Sequence, residues 1–433
     1  MKTTNTNLQS ELSGILKRKA IGPKGSRHLN EDDLEIIVRA LKSNKVTLTS
    51  KAVLVTAVKI LERNPLEKKL FNQWQNKGHL LPAELQSLLF GKGNSEFSKI
   101  LQKILKGKDL DRKEASVAMS YLLDKNIPDY QKGVFLIGER LKRESFEENY
   151  AFFQTMKGAI QPQKVNVSLL VDLSDPYDGF VRYPIYTPFV ASLLAALGIS
   201  TYCHGAKKIA PKNGETIYRI LDLAGKNPRK SITSVAEDLE NEEVGWGYLD
   251  QSVYFPALSD LSDLRQKIVK RPFLATLEKL LQPLRTDDVN WVITGYVHSH
   301  YKEELAKLLE NEDSLERALI VKGMEGSSQL DFRRKSKKIV LNKGEKLINE
   351  VRSGSINYPK RKWKQEEVLA EYVLESGLAA LKGKKNTARE MLLYQAKQIV
   401  ENIGSISMDN IELRAKKAID SGKALDRWQN GCI

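Results

Sequence analysis

Three carboxylates spaced three apart, Asp172, Asp175 and Asp178, close an apolar run from Val165 to Leu173 and open a turn that also holds Pro176, Tyr177 and Gly179. A second β-like run, "ISTYC", leads to His204 and Gly205 and is followed by Lys207, Lys208 and Lys212. Acids in one turn with lysines after the next strand are the groups phosphate chemistry uses: carboxylates hold a divalent cation and ammonium groups neutralise phosphate oxygens. The same acids also serve as strand-end caps and turn formers. His204 has no second ligand residue beside it in sequence, so its expected role is to orient or pack, and Asp178 is the acid to test first.

Such groups need a strand, a loop, a helix and a second strand to carry them. The apolar run Phe189 to Leu197 supplies the helix. Further β-like segments, "WVITGY" and "RALIVKG", alternate with helical stretches, more strands are expected near 338–350, and the last seventy or so residues return to amphipathic helix. Alternation of this kind predicts an α/β domain with a largely parallel sheet, whose ligands bind at the carboxyl ends of the strands. Ahead of it, residues 1–28 are polar and then basic and read as a flexible arm. Asn30 caps a helix striped by Leu34, Ile37, Val38 and Leu41, and a second apolar run covers Ala52 to Leu61. The stretch "FGKGNSEF" marks a boundary near 90–96, after which Phe97, Ile100, Leu101, Ile104 and Leu105 start another helical block, with Asp109 or Asp111 as the next cap. The expected organisation is an arm (1–28), an additional helical module (29–96), a helical domain (97–160) and an α/β domain with carboxyl-terminal helices (161–433).

Charge narrows the partners. The 433 residues contain 69 Lys and Arg against 54 Asp and Glu, a formal net charge of +15, and the excess is concentrated at 15–28, 333–338 and 357–364. Basic clusters without matching acidic blocks point to a polyanion. The two cysteines and five scattered histidines support neither a disulfide framework nor a CxxC metal site. No run of eighteen apolar residues occurs and the start "MKTTNTNLQSELSG" is polar, so a cytoplasmic chain without membrane contact is expected.

The segments "ILQKILKGKDLDRKEASVAM", "YTPFVASLLAALGISTYCHG", "LERALIVKGMEG" and "AKKAIDSGKALDRWQ", in that order, give the chain from about 98 to 430 a layout that resembles the anthranilate phosphoribosyltransferase group of family 3 glycosyltransferases. The resemblance implies a helical domain joined to an α/β domain and a homodimer formed through the helical block. Active members bind phosphoribosyl pyrophosphate and magnesium in a glycine, threonine, glycine, glycine, aspartate turn. Here the turn reads "SDPYDG": Asp178 and Gly179 match, while Pro176 offers no amide hydrogen and Tyr177 adds a side chain where backbone should approach the ligand. Of the following asparagine, any residue, serine, threonine pattern only Thr187 remains. "HGAKK" keeps His204, Gly205 and a basic residue, and Ser328 and Gln329 stand near the expected acidic pair, with Glu325 and Asp331 close by.

These departures, taken with the charge, resemble a divergent branch of the fold associated with nucleic-acid binding. The expectation is therefore a protein that grips DNA or RNA, single-stranded DNA foremost, through its phosphates without reading sequence, with no cofactor and with transferase activity lost. Lys207, Lys208 and Lys212 are the first phosphate candidates, then Arg333, Arg334, Lys335, Lys337 and Lys338, then Lys360, Arg361, Lys362 and Lys364. Tyr177, Tyr183 and Trp363 are candidates for stacking on bases. The alternative is a phosphoribosyltransferase that uses magnesium and an aromatic or heterocyclic acceptor.

Overall fold

The computed structural model describes residues 8–76, 80–91, 93–311, 317–333, 335–351, 369–404 and 410–433. The chain forms two compact units. One runs to Ala159 and takes in Asp260–Leu277; the other consists of Ile160–Ser259 and Glu278–Ile433. No described helix is long and apolar enough to cross a membrane.

The first unit is helical. Its helices include Leu8–Lys19, Glu31–Lys42, Leu48–Ile60, Pro65–Asn76, Ala83–Phe90, Glu96–Ile104, Arg112–Leu123, Asp129–Lys142 and Phe146–Gly158. Asn30 starts the second through a capping box with Asp33, and Asp111 starts the seventh with Glu114, so two orphan amides are satisfied at each start. Within the expected flexible arm, residues 8–19 form the helix Leu8–Lys19, which buries Leu12, Ile15 and Leu16. Its terminal Lys19 reaches Glu67 at 2.6 Å with both side chains fully enclosed. The expected boundary near 90–96 is a turn inside this unit, because helix Leu48–Ile60 packs on helix Asp129–Lys142. Gly133 allows the approach: a Cβ there would lie 3.0 Å from the Thr49 side chain. Phe135, Phe152 and Phe273 form the aromatic centre, with Phe152 and Phe273 stacked at 4.4 Å.

The second unit is α/β, and it carries every residue of the candidate site. Its strands are β1 (Gln163–Lys164), β2 (Leu169–Ser174), β3 (Ser200–Gly205), β4 (Trp246–Asp250), β5 (Leu284–Arg285), β6 (Val289–Tyr296), β7 (Arg317–Lys322), β8 (Ser336–Asn342) and β9 (Glu345–Val351). β1 and β5 pair in a small parallel sheet, and the other seven lie in the order β4-β3-β2-β6-β7-β8-β9. The first five of these run parallel, and β8 and β9 close the edge as an antiparallel hairpin. β2 sits between β3 and β6 with Asp172 in register with Tyr202 and Val292. Its run of apolar residues is what a strand covered on both faces requires.

Helix Thr187–Ala196 is buried along its whole length. Phe189 on it stacks on Trp428 at 4.3 Å, which stacks in turn on Trp246 of β4 at 5.2 Å. Trp428 belongs to Lys423–Asn430, the last of the carboxyl-terminal helices, which also include Leu369–Leu381, Thr387–Ile403 and Ile411–Asp420. Truncating so enclosed an indole to alanine costs about 3–5 kcal/mol, so the far end of the chain fixes the helix that begins at the candidate site.

Candidate active site

Three loops meet where β2, β3 and β7 end: residues 175–186, 206–216 and 323–331. They surround a cavity of about 20 Å³ whose walls include Asp175, Tyr177, His204, Tyr248, Met324 and Glu325. The carboxyl edge of a parallel sheet is where open α/β folds hold their ligands.

The first loop is fastened by glycine. Gly179 has φ of +75°, and a Cβ on it would fall 2.2 Å from the Glu215 carbonyl. That approach lets Phe180 and Glu215 exchange two backbone hydrogen bonds of 2.8 Å, joining the first loop to the second.

Beneath the cavity runs a buried hydrogen-bond chain. Tyr202 donates to Asp172 Oδ2 at 2.9 Å, and His204 Nε2 bonds the same oxygen at 3.2 Å while lying 3.0 Å from Oδ1. His204 Nδ1 meets the Tyr177 hydroxyl, which also meets the Tyr254 hydroxyl. One assignment of hydrogens runs through the chain and leaves only Asp172 Oδ1 without a partner: Nε2–H donates to Asp172 Oδ2, the Tyr177 hydroxyl donates to Nδ1, and Tyr254 donates to Tyr177. Burial pushes the Tyr177 phenol well above its ordinary range, with Tyr254 adding to the effect, so it stays a neutral donor.

A second set of contacts joins the first loop to the third. Asp175 accepts from the Thr187 hydroxyl at 2.6 Å, and from both the amide and the hydroxyl of Ser328 at 2.7 Å. Burial raises the carboxyl group of Asp175, and the donors and nearby Lys279 counter it in part. Gln329 receives the Tyr186 amide at 2.9 Å and donates to the Pro184 carbonyl at 3.1 Å. Glu325 is held by three successive amides, Val181 at 3.1 Å, Arg182 at 2.6 Å and Tyr183 at 3.1 Å, all on one oxygen. Lys212 lies 2.7 Å from its other oxygen and also donates to the Gly179 carbonyl.

The structure thus disperses the residues read from sequence. His204, Gly205, Asp175 and Gly179 line the cavity, and Thr187 and Lys212 bond to its walls. Asp178 is buried, and its carbonyl receives the Gly214 amide. Lys207 and Lys208 are exposed, with Lys207 over the Tyr218 ring. Tyr177 is 2% exposed and tied to His204, so it presents no face to a base, contrary to the expected stacking. Tyr183 lies under the Arg333 guanidinium at 3.8 Å, and Arg333 also chelates Asp331; neither is the open contact expected. Lys335 pairs with Glu350 at 2.7 Å, Lys337 is exposed, and burial lowers the Lys338 ammonium. Arg334, Lys360, Arg361, Lys362, Trp363 and Lys364 lie outside the described residues. Sequence reasoning missed Tyr248 and Tyr254; a tyrosine in the "GWGYLD" stretch, a β-strand pattern diluted by glycine, was the one signal. Among the described residues no group of three or more His, Cys, Asp or Glu is placed to hold a metal ion.

A model of the glycosyl transferase family's helical bundle domain matches residues 98–159. An uncharacterized protein of Aquifex aeolicus is 29% identical over 219 residues, which is 50% of this chain and 64% of that one. The anthranilate phosphoribosyltransferase of Methanopyrus kandleri is 26% identical over 253 residues, 57% of this chain and 71% of that one. The chain therefore spans about two thirds of the length of these relatives. In three dimensions it superposes on the anthranilate phosphoribosyltransferase of Thermus thermophilus with a TM-score of 0.60 at 21% identity, covering 76% of this chain and 97% of that one. The Saccharomyces cerevisiae enzyme in complex with PRPP (phosphoribosyl pyrophosphate) and Mg gives 0.58 at 15% identity, covering 77% and 96%. The fold is that of the family 3 glycosyltransferases, and it resembles anthranilate phosphoribosyltransferase. These similarities overturn the expectation of a nucleic-acid binder without transferase activity and with a DNA or RNA partner: the named relatives are enzymes of small molecules. The geometry accords with this in part: Lys212, Arg333, Lys335, Tyr177 and Tyr183 are engaged in internal contacts, while Lys207 and Lys208 stay exposed.

Proposed function

We propose that this chain is a phosphoribosyltransferase, moving the phosphoribosyl group of phosphoribosyl pyrophosphate onto an aromatic or heterocyclic acceptor. The observation that carries the reading is the meeting of three loops at the carboxyl edge of the parallel sheet, joined through Asp175 to Ser328 and through Glu325 to Lys212. In the reaction the bond from the anomeric carbon to the diphosphate oxygen breaks as the acceptor's nucleophilic atom bonds that carbon. Diphosphate leaves with the electron pair, and the acceptor proton passes to solvent.

Lys212 and the amides of Val181–Tyr183 are the donors for phosphate oxygens. Phe180, Ile185, Ile217 and Met324 give the cavity an apolar wall on which an acceptor ring would pack once the loops part, since about 20 Å³ holds no more than a water. His204, through Asp172, sets the orientation of Tyr177 against that wall. Magnesium takes one or two carboxylates and completes its shell with water and substrate phosphates. The donors fit that demand: Oδ2 of Asp175 accepts a single hydrogen bond and keeps a lone pair. Asp175 would hold the ion, which when bound would neutralise the departing diphosphate.

The test is pyrophosphate release from phosphoribosyl pyrophosphate and Mg²⁺ against a panel of acceptors that includes anthranilate. Acceptor-dependent release supports the reading. No release with any acceptor, together with no calorimetric binding of phosphoribosyl pyrophosphate and Mg²⁺, refutes it.

A further inference from the structure

We infer that the Val181–Tyr183 amides and Lys212 form an oxyanion cradle for a phosphate group, and that Glu325 is its built-in occupant, which an incoming diphosphate must displace. The inference rests on the transferase reading in taking diphosphate as the ligand.

Successive amides that converge on one point make an anion-binding concavity. Here three of them converge on a single Glu325 oxygen, and Val181 also lies 3.3 Å from the second. A lysine ammonium at 2.7 Å completes the set. This donor set is the one that phosphate oxygens use, already holding an anion supplied by the chain. The backbone at Glu325 has φ of +53°, the left-handed region that glycine or asparagine occupies with least strain. A position that only had to turn the chain would not need a glutamate; the carboxylate gives a reason for one. The cavity beside the cradle supplies an independent sign of a ligand. Tyr248 lines it and is 1% exposed, and its hydroxyl has no hydrogen-bond partner among the described residues. Glu325 lines the same cavity as that unsatisfied hydroxyl. Glu325 and Ser328 also share one short loop, so movement of the glutamate is linked to the hydroxyl and amide that hold Asp175.

A cradle blocked in most molecules lowers apparent affinity by the fraction that is open. If about a tenth or less is open, clearing the occupant raises affinity about tenfold or more. The experiment is isothermal titration calorimetry with inorganic pyrophosphate and with inorganic phosphate on the full chain, comparing wild type, Glu325→Ala, Glu325→Gln and the double variant Glu325→Ala with Lys212→Ala. Circular dichroism and melting establish which variants fold. The expected result is at least tenfold tighter pyrophosphate binding by Glu325→Ala, lost again when Lys212 is also removed. Glu325→Gln keeps a neutral acceptor for the amides and serves as the comparison should the alanine variant fail to fold; it should also bind more tightly than wild type. A folded variant that binds pyrophosphate no better than wild type overturns the inference and leaves Glu325 as a loop staple. Tighter binding without pyrophosphate release in the acceptor assay keeps the cradle and removes the transferase reading. Release by the wild type, with pyrophosphate affinity unchanged in the variants, does the reverse.

Discussion

Replacing Tyr177 by phenylalanine deletes one oxygen and separates two ways of holding the first loop. The ring stays, so the apolar contacts with Ala206 and Ile209 are kept. Two hydrogen bonds go, one to His204 Nδ1 and one to Tyr254. Their consequences are unequal. His204 is 1% exposed, so its nitrogen cannot turn to water, and a buried acceptor left unsatisfied costs about 1–3 kcal/mol. Tyr254 is half-buried as a residue, but its hydroxyl is enclosed, so the loss of its partner costs at least about 1 kcal/mol more. The sum is about 3 kcal/mol, read as a lower urea midpoint at unchanged slope, with tryptophan fluorescence as the probe because Trp246, Trp291 and Trp428 all lie in the α/β unit. Tyr254→Phe is the control: it removes only the outer bond and should cost less than Tyr177→Phe. His204→Ala should cost more than either, about 3–5 kcal/mol, because it leaves Asp172 buried without its imidazole. A Tyr177→Phe protein as stable as wild type, or a Tyr254→Phe loss equal to it, would refute the hydrogen-bond chain as assigned.

Gly179→Ala combines a left-handed backbone with a Cβ 2.2 Å from a carbonyl, and should lower stability by about 3 kcal/mol; an unchanged melting temperature would contradict that geometry. Asp175→Asn should flatten the acid side of the stability profile: burial raises the native carboxyl group, so the folded state holds its proton longer and wild-type stability falls as pH climbs from about 3.9 through the raised value. Matching urea series from pH 3 upward on the two proteins check this, and parallel curves would count against it. Lys270 in the helical unit is lowered to about 8 by burial and by Arg140 and Lys17, so its ammonium should titrate near pH 8 by NMR of the ε-carbon rather than near 10.5. Because the folded state sheds that proton first, stability should rise between those two values, and Lys270→Met should lack the rise. Burial pushes both thiols up, Cys432 to about 12, so neither Cys203 nor Cys432 should react with a disulfide reagent until denaturant is added.

The sheet is largely legible because its strands are short apolar runs set between turn residues, as in "VNVSLLVDL" and "WVITGY". β4 escapes because Gly247 within it and Gly245 just before it dilute its pattern, although Trp246 there anchors the stack on Trp428. The helix Leu8–Lys19 reads as a loose arm because its stripe is only Leu12, Ile15 and Leu16 among polar residues, and its basic end looks like a surface cluster. Local reading assigns a lysine to solvent; it does not see a glutamate 48 residues away that encloses Lys19. The same limit governs the site. His204 reads from sequence as an orienting residue without its object, because Tyr177 lies in a separate loop and only the pairing of β2 with β3 brings the two together. Arg333 looks free for phosphate because its chelation of Asp331 depends on the turn that precedes β8.

The replaced motif positions take on a different meaning once the loops are seen together. Taken one at a time, Ser328 and Gln329 are lost acids and Asp175 is an acid out of place. In the fold, Asp175 points at Ser328 across 2.7 Å, so the carboxylate expected on the third loop stands on the first, and the neutral donor stands opposite it. Gln329 spans the same gap between the Tyr186 amide and the Pro184 carbonyl. One acid moved across a gap leaves the local charge closer to what the resemblance implies than two separate losses would suggest. That exchange makes a demand on the transferase reading. Asp175→Asn should depress magnesium-dependent binding of phosphoribosyl pyrophosphate, and the reciprocal pair Asp175→Ser with Ser328→Asp, which returns the acid to the third loop, should recover it. If the reciprocal pair binds no better than Asp175→Asn while remaining folded, the acid at 175 is structural and the metal must be held by other groups.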